Sequence, residues 1–539
     1  MSLIPVVDLF AGPGGLGEGF SALRCDSGKQ VFDIVLSIEK DFYAHKTLEL
    51  RSFFRKFPKG QAPEDYYDYI RKKSLLTNPK KQEELRSELF NRYPDEAEKV
   101  RGEVWCAELG KDSRLNEMID FRIREILEST QSSCWGMIGG PPCQAYSVIG
   151  RARNGAKVGY NSDNDKRSYL YEQYLRVIAQ HKPDFFIMEN VKGMLSAKLK
   201  GKSLFGKVIE DLRFPRRNLT EAEFENSALE YQIFPLACDS LVPTKPSDYL
   251  IEAESFGIPQ MRHRVILLGV RKDFSALLPS RLKKPNYRVT VKDVLRNLPK
   301  IRSGVSKDKR DNGTFEFWSN RIKEILNYEW LEKECDSDIS ELIKLVIEEM
   351  DNKSLNQGNE FIPCSISNFS RQDLTDWYAD DRLRGVCNHT SRSHMTSDLH
   401  RYLFSATFAE EKNCSPIMKY FPEDLLPDHK NVKSGHFDDR FRVQIADRPS
   451  STITSHISKD GHYFIHYDPE QCRSLTVREA ARLQTFPDNY YFEGPRTEQY
   501  TQVGNAVPPL LAKQIAGVVY DLIRRTREQE QEIYGLLKQ

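Results

Sequence analysis

The sequence predicts an α/β protein, in which a mixed, mostly parallel sheet carries helices on both faces and a smaller, irregular domain follows. Three observations support this. In the first half, short runs of β-branched and apolar residues alternate with charged helical stretches, as they do in βαβ units. Polar residues collect where those runs end, at the sheet edge where α/β proteins bind ligands. Over residues 299–471 the alternation fades into sequence rich in Asn, Ser, Asp, His and aromatics.

Six strands are predicted in the first half, at residues 4–10, 32–39, 135–139, 185–189, 231–237 and 265–270. The charged, helix-prone stretch 51–104 carries no catalytic signature and is interpreted as an insertion packed on the surface. Residues 474–483 and 510–525 have helical patterns. The expected organisation is a first domain over 1–290, a second over 291–472, and a C-terminal segment, 473–539, that returns to the first.

Length and composition narrow the class of protein. A chain of 539 residues is too long for one minimal domain. Its composition, 39% hydrophobic and 29% charged residues, excludes a disordered or fibrous protein.

The ten cysteines form no CxxC pair, which indicates reduced thiols inside a cell. Cys387, His389 and His394 come nearest to a ligand cluster but lack the four spaced ligands of structural zinc, so no metal is expected. No signal peptide or membrane span is recognised, and a cytoplasmic protein is expected.

Charge is uneven along the chain although the formal net charge is only +1. Residues 281–310 contain eleven Lys or Arg against two Asp, whereas residues 311–351 are acidic. A basic segment of this kind suits phosphate contacts, and a solvated loop beside a charged helix explains it equally well.

A glycine-rich loop follows the first predicted strand. Gly12, Gly14 and Gly17 satisfy GxGxxG, a pattern that lets the backbone approach a ligand closely. Glu39 ends the next predicted strand, where a carboxylate can accept hydrogen bonds from ribose hydroxyls. This pair of features fits a dinucleotide enzyme as well as a methyltransferase.

The decisive element is Gly139-Gly-Pro-Pro-Cys-Gln-Ala-Tyr-Ser, which follows a predicted strand. The prolines fix the backbone before Cys143 and hold its thiol at a rigid turn facing the cleft. Most lone cysteines are inert small hydrophobes, but this context favours a nucleophile.

Two later strands bring charged groups to the same edge. An apolar strand delivers Glu189 and Asn190, and a carboxyl there is expensive to bury without a partner. Arg262 and Arg264 alternate along a predicted strand beside Gln260, so an arginine can face the cleft while His263 faces away. Guanidinium groups suit a base carbonyl or phosphate oxygens.

Six blocks, in this order, resemble the DNA (cytosine-5) methyltransferase family: DLFAGPGGLGEGF, GGPPCQAYS, MENVKGM, GIPQMRHR, RSLTVREAARLQTFPD and QVGNAVPP. The similarity covers roughly residues 1–50, 100–272 and 440–522. It implies a Rossmann-like domain dependent on S-adenosylmethionine, and a target-recognition domain within about residues 300–460.

The resemblance also implies a cofactor pocket. S-adenosylmethionine, with S-adenosylhomocysteine as product, would be held by the residues Phe10, Gly12, Gly14, Leu16, Glu39, Asn505 and Val507. The family usually has an Asp that contacts the adenine. This chain departs from that pattern, and Glu108 in Cys106-Ala-Glu-Leu is the candidate.

For catalysis, the resemblance makes Cys143 the nucleophile and Glu189 the acid, while Arg262 and Arg264 hold the flipped cytosine and the loop after Cys143. The DNA contacts it implies are Gln144, Ser147, Arg151, Arg153 and Thr452, with Lys157 in the same loop. Thr452 in Pro-Ser-Ser-Thr-Ile resembles a recurring recognition-domain dipeptide, although a strand threonine explains it equally well.

The expected enzyme is a bacterial or phage methyltransferase that acts as a monomer on double-stranded DNA, near the nucleoid. It stands alone or is paired with a restriction endonuclease, and needs no metal. A tRNA cytosine-5 methyltransferase of the same family is the alternative. A catalytically silent DNA-binding protein is disfavoured by Cys143 and Glu189, and a nicotinamide dehydrogenase explains only the glycine loop.

Overall fold

The fold is built around an eight-stranded sheet. The computed structural model describes residues 3–130, 132–142, 170–199, 202–217, 229–238, 243–350, 353–366, 368–428 and 438–537. The first ten strands are β1 (Ile4–Leu9), β2 (Phe32–Glu39), β3 (Val104–Cys106), β4 (Gly136–Gly139), β5 (Phe185–Val191), β6 (Lys198–Leu199), β7 (Lys202–Ser203), β8 (Tyr231–Phe234), β9 (Leu250–Glu252) and β10 (His263–Arg271). The sheet order is β3-β2-β1-β4-β5-β10-β8, with β9 paired to β10, while β6 and β7 pair only with each other.

The sheet is mostly parallel, as the sequence predicts. β1 to β5 run parallel, and β10 lies antiparallel between β5 and β8. Each of the six predicted strands is present, although the fifth ends at Phe234 instead of residue 237. β3 and β9 were not predicted, because three residues are too few to display an alternating pattern.

Helices cover both faces of this sheet. In the first half they are α1 (Gly15–Ala22), α2 (Phe42–Arg55), α3 (Glu64–Lys73), α4 (Pro79–Arg92), α5 (Pro94–Glu103), α6 (Ser113–Ser129), α7 (Leu170–His181) and α8 (Leu204–Arg213). Alternation along β1 directs Val6 into one core and Val7 into the other. The core of Val6 includes α1, and that of Val7 includes α6, α7 and α8.

The stretch 51–104 is more deeply embedded than the sequence suggests. Its helices contribute Tyr66, Tyr67 and Tyr69, all almost fully buried, to a core that also contains Phe361 and Tyr491. Most charged residues of α3 and α4 face solvent, although Lys73 and Arg86 are buried, whereas the tyrosines pack inward. The segment therefore joins the sheet domain to later parts of the chain.

The second region is mainly helical. Its elements are α9 (Val291–Leu295), β11 (Gly304–Val305), α10 (Phe315–Lys323), α11 (Trp330–Lys333), α12 (Ser337–Met350), β12 (Gly358–Pro363), α13 (Gln372–Tyr378), β13 (Gly385–Thr390), β14 (Ser393–His394) and α14 (Thr396–Lys412). One core holds α10, α11, α12 and α14. Another combines α9 and α13 with helices of the C-terminal segment.

The C-terminal segment contains α15 (Val477–Leu483), α16 (Arg496–Asn505) and α17 (Pro509–Leu537). α17 returns to the sheet and packs against α1 and the strands. By length and composition Arg496–Tyr534 passes as one candidate membrane span, but 67% of its apolar window is buried within the protein. This burial is typical of a core helix.

Candidate active site at the sheet edge

The glycine loop turns sharply at the end of β1. Phe10 and Gly12 have φ of 57°, and Gly14 has φ of 93°, so the chain passes through the left-handed region three times. Glycine adopts this conformation without strain, which explains two of the three residues. Both oxygens of Glu39 accept backbone N–H groups, from Gly12 at 2.8 Å and from Asp41 at 2.7 Å. Glu39 thus ties the loop to the end of β2, and burial raises the pKa of its carboxyl.

A cavity of about 660 Å³ opens beside Glu39. Its lining comes from the ends of β2 and β3 and the start of α6, and consists of Lys40, Asp41, Phe42, Cys106, Ala107, Glu108, Lys111, Asp112, Arg114, Leu115 and Met118. Glu108, the predicted adenine contact, is one of these lining residues, and its Oε1 is 3.2 Å from the Lys40 Nζ. Phe42, which the sequence prediction omits, also lines the cavity and is 54% exposed. An aromatic residue three positions after the acidic strand end was the available signal.

The C-terminal segment closes onto the glycine loop. A Cβ at Gly15 would lie 2.2 Å from the Val507 carbonyl oxygen, so the two backbones touch. The Tyr490 hydroxyl donates a hydrogen bond to the Pro13 carbonyl. Asn505 is exposed at the end of α16, two residues before Val507. Leu16 instead packs in the core between α1 and the sheet, so only its backbone is near the loop surface.

Three strand ends converge on a carboxylate–guanidinium pair. Glu189 on β5 and Arg264 on β10 are joined at 2.9 Å between Oε1 and Nε, and both side chains are largely buried. Burial lowers the pKa of Arg264, and the Glu189 carboxylate opposes that shift. From β4, a Cβ at Gly140 would lie 3.2 Å from Glu189 Oε2. The turn after Gly140 is therefore held against this carboxylate.

Asn190 fixes the same turn. Its Nδ2 donates to the Pro141 carbonyl at 3.3 Å, and the side chain is almost completely buried. Pro141 and Pro142 are the last described residues before Cys143. Cys143, Gln144, Ser147, Arg151, Arg153 and Lys157 lie outside the described residues.

Among the described contacts, the Arg262 side chain forms no hydrogen bond or ion pair with Glu189 or Arg264. Its guanidinium donates to the Ile453 carbonyl at 2.8 Å and the Gly504 carbonyl at 3.3 Å, and it is buried. Its backbone carbonyl accepts the Ala253 N–H at 3.2 Å, which continues the pairing of β9 with β10 one residue beyond His263. Arg262 links the sheet edge to segments of the second region and α16.

Thr452 lies on a short extended segment that pairs with residues 259–261. The Met261 N–H donates to the Ser450 carbonyl at 2.8 Å, and the Thr452 hydroxyl donates to the Met261 carbonyl at 2.5 Å. Buried Gln260 accepts the Ile453 N–H at 2.8 Å and holds the segment in register. Thr452 is half-buried with its hydroxyl oxygen able to accept a further bond.

The block RSLTVREAARLQTFPD is a scaffold in the structure. Arg473 and Glu479 form a fully buried pair with two N···O distances of 2.7 Å. Arg482 forms a similar pair with Asp488, at 2.8 Å for both contacts. Buried ion pairs of this geometry fix the position of α15 and the loop after it.

The cysteine and histidines noted in the sequence are core residues. Cys387 Sγ accepts a hydrogen bond from Arg478 at 2.8 Å, and His389 bonds the Thr476 hydroxyl and the Pro299 carbonyl. His394 contacts the Tyr402 hydroxyl. Across the ranges that the structure describes, no group of three or more His, Cys, Asp or Glu side chains is arranged to hold a metal ion.

Asp8 on β1 is an almost fully buried acid close to the start of α1, where a Cβ at Gly17 would lie 3.1 Å from its Oδ2. Neither carboxyl oxygen has a hydrogen bond of normal geometry among the described residues, although the Gly17 amide lies near, and burial raises the pKa of Asp8 to about 8. An unfolded Asp ionises near pH ~4. The folded protein therefore keeps a proton that the unfolded chain loses between pH ~4 and ~8, and its stability falls as pH rises through that window.

We expect Asp8→Asn to remove this pH dependence. The free energy of unfolding of the variant minus that of the wild type should increase by about 1.4 kcal/mol for each pH unit across that window. Urea unfolding at several pH values, followed by circular dichroism, measures the slope. Asp26→Asn, in an exposed turn, is the control and should leave the slope unchanged. A difference that does not vary with pH would mean that Asp8 is ionised in the folded protein.

Comparison with known proteins finds a matching family model and similar sequences. A family model described as C-5 cytosine-specific DNA methylase matches residues 105–215 and 245–521. The Type II methyltransferase M.Bpa9945I of Bacillus paralicheniformis is 34% identical, covering 96% of this chain and 99% of its own length. The DNA (cytosine-5-)-methyltransferase M.ApeKI of Aeropyrum pernix is 26% identical, covering 72% of this chain and 81% of its own.

Among solved structures, one assigned as a DNA modification methyltransferase encoded within an E. coli prophage is similar at 19% identity. The alignment covers 97% of this chain and 99% of the chain in that structure, with a TM-score of 0.49.

Proposed function

Because the chain belongs to the C-5 cytosine-specific DNA methylase family, we propose that it is a DNA (cytosine-5-)-methyltransferase (EC 2.1.1.37) that methylates carbon-5 of cytosine in a specific double-stranded DNA sequence. S-adenosylmethionine is the methyl donor. The observation that carries the proposal is the convergence at one sheet edge of the turn at Gly140, the Glu189 carboxylate and the Arg264 guanidinium.

The residues around the glycine loop fit the cofactor. A Cβ at Gly12 would meet nothing within 4 Å, so the loop leaves open space on its outer side. In the proposed complex Glu39 accepts ribose hydroxyls, the exposed Phe42 stacks on the purine, and Glu108 accepts from the purine amino group. Asn505 and Val507 bound the loop from the other side. When bound, the sulfonium supplies an electrophilic methyl group.

The chain's own groups activate the cytosine. The Cys143 thiolate adds to carbon-6 of the ring, which makes carbon-5 nucleophilic, and negative charge moves toward the ring nitrogen and carbonyl. Glu189 hydrogen-bonds or protonates nitrogen-3, and Arg264 holds that carboxylate in place and faces the carbonyl. After methyl transfer, a base, either solvent water or a nearby side chain, takes the carbon-5 proton, and the released electron pair expels the Cys143 sulfur as thiolate and restores the ring. S-adenosylhomocysteine is the other product, and no step in this scheme uses a metal.

The target base must leave the duplex, because a thiol beside a strand end cannot reach a stacked ring. The loop carrying Gln144, Ser147, Arg151 and Arg153 is proposed to close on the DNA. The recognition domain is proposed to span residues 291–472, with Thr452 at its junction with the sheet.

Incorporation of tritiated methyl groups into plasmid DNA tests the function. Label in DNA and none in tRNA supports it, whereas label in tRNA alone would make the chain an RNA enzyme. Bisulfite sequencing of DNA from cells that express the gene then gives the sequence context.

We further propose that the enzyme acts as a monomer on DNA, in the cytoplasm at the bacterial nucleoid, and has a cognate restriction endonuclease as its genetic partner.

The basic linker, residues 281–296, predicts a measurable salt dependence. Its six cations, Arg281, Lys283, Lys284, Arg288, Lys292 and Arg296, are all exposed, and within the described ranges none forms an ion pair. Its acid, Asp293, is engaged by Thr290 and Ser370. The linker therefore presents uncompensated positive charge for phosphate groups.

We expect Lys283→Ser/Lys284→Ser to weaken DNA binding equally for specific and nonspecific duplexes. The slope of log K against log salt should fall by about 0.9 for each phosphate group that the variant no longer neutralises. Lys80→Ser/Lys81→Ser, another adjacent exposed lysine pair, is the control. Equal slopes for the wild type and the linker variant would show that the linker is not part of the DNA-binding surface.

A further inference from the structure

A hydrogen-bonded chain of side chains crosses the protein from the glycine loop to the second region. It begins at α1, where the Glu18 N–H donates to the Gly14 carbonyl at 2.8 Å. The Glu18 carboxylate is buried and receives the Arg51 guanidinium, with Nε at 2.9 Å from Oε2 and a second nitrogen on the other oxygen. Arg51, on α2, is equally buried. The helix that carries the glycine loop is thereby fixed to α2.

The next links belong to the loop between α15 and α16. The remaining Arg51 nitrogen donates to Asn489 Oδ1 at 2.9 Å, and Asn489 Nδ2 donates to Asp380 Oδ2 at 2.6 Å. Asp380 follows α13 in the second region. The amide oxygen of Asn489 therefore contacts the buried Arg51, and its amide nitrogen contacts Asp380 of the second region.

The embedded insertion reinforces the same connection. On α3, the Tyr67 hydroxyl donates to Asp380 Oδ2 at 2.8 Å, and the Tyr66 hydroxyl donates to the Asn489 carbonyl at 3.0 Å. Nearby, the Arg382 guanidinium donates to the Gly60 carbonyl at 3.0 Å. The insertion thus holds Asp380 and Asn489 together from the outside.

Other contacts of this loop lead directly to the cofactor side. Tyr490, next to Asn489, donates to the Pro13 carbonyl, and its ring lies under the Arg51 guanidinium at 4.8 Å. A movement of the second region on DNA that displaces Asp380 would be transmitted to Asn489 and Arg51, since buried polar groups are costly to leave unpaired.

We propose that Asn489, supported by Tyr67 of the insertion, is a positioning residue that couples DNA engagement by the second region to cofactor affinity at the glycine loop. The proposal rests on the proposed function, because it needs an enzyme that binds both DNA and the cofactor. It assigns the insertion a role in the reaction cycle that neither its charge nor its position in the sequence suggests.

The test is the cofactor dissociation constant, measured with S-adenosylhomocysteine by calorimetry in the absence and presence of plasmid DNA that the enzyme methylates. The ratio of the two constants is the coupling factor. Thermodynamic linkage requires that S-adenosylhomocysteine change the dissociation constant for DNA by the same factor. Factors of about 5 to 150 are usual for coupled sites. Measurement in both directions separates coupling from a general loss of folded protein.

Tyr67→Phe removes one donor to Asp380, and Asn489→Asp places a second carboxylate against it at unchanged size. We expect both variants to lower the coupling factor at least about threefold from the wild-type value, a change within the range seen for coupled networks. Tyr93→Phe is the matched control, since Tyr93 lies in the same insertion and donates to Asp65 at 2.7 Å without reaching Asn489. It should keep the wild-type factor.

A coupling factor unchanged in both variants, or equal to one in the wild type, overturns the proposal. So does an equal fall in Tyr93→Phe, which would mark a structural effect of the insertion. Failure of the proposed function itself looks different, because DNA would then carry no methyl label and S-adenosylhomocysteine would not bind.

Discussion

Cys143→Ala is expected to abolish methyl transfer, by about 10³-fold or more, as loss of an essential nucleophile does in other enzymes. Carbon-5 of cytosine is too weak a nucleophile to attack a methyl group unless a group has added at carbon-6. The turn at Gly140 and Pro141, which lies against the Glu189 carboxylate and Asn190, leads directly to position 143. Transfer of tritiated methyl groups to plasmid DNA measures the loss.

A covalent trap makes the result specific to the sulfur. An oligonucleotide that carries 5-fluorocytosine in the methylated sequence should form a stable adduct with the wild type and none with Cys143→Ala. Cys414→Ala, at an exposed cysteine after α14, is the control and should keep full activity. Activity of the Cys143 variant within tenfold of the wild type, or an adduct on another residue, would refute the mechanism.

Several parts of the fold could be predicted because each depends on local pattern alone. Apolar runs such as Val6 and Val7 on β1 predict a buried strand, and acids at strand ends mark the ligand edge. Glycines at positions 12 and 14 predict the turn that the structure shows, with positive φ at both. The approach of Val507 to the loop followed only from the resemblance, since the two segments are nearly five hundred residues apart.

Other features depended on tertiary contacts that no local pattern encodes. Arg262 and Arg264 read as equivalent neighbours on one strand, but the Arg262 guanidinium donates to the carbonyls of Ile453 and Gly504, whereas that of Arg264 contacts Glu189. The stretch 51–104 has a charged composition that suggests a surface position, yet its tyrosines anchor it to Asp380 and Asn489. Those partners lie more than three hundred residues away, beyond the reach of sequence periodicity.

The second large effect is expected at Glu189. Glu189→Gln preserves the size of the side chain but cannot deliver a proton to nitrogen-3, so we expect kcat to fall by about 10² to 10⁴, the usual range for general acid catalysis. The cofactor dissociation constant should stay within about twofold of the wild type, because the cavity beside Glu39 is lined by other residues. Single-turnover methylation at saturating cofactor measures the chemical step.

Loss of folded enzyme is a competing explanation for a fall in activity, because Glu189→Gln leaves the buried Arg264 guanidinium without its carboxylate. Thermal unfolding therefore accompanies the kinetics, and the rate is referred to folded enzyme. Glu230→Gln, which breaks the more exposed pair with Lys272 at 3.0 Å, is the control and should retain activity. If kcat per folded molecule falls less than tenfold, Glu189 positions Arg264 without donating a proton, and the acid must be sought among groups that approach with the DNA.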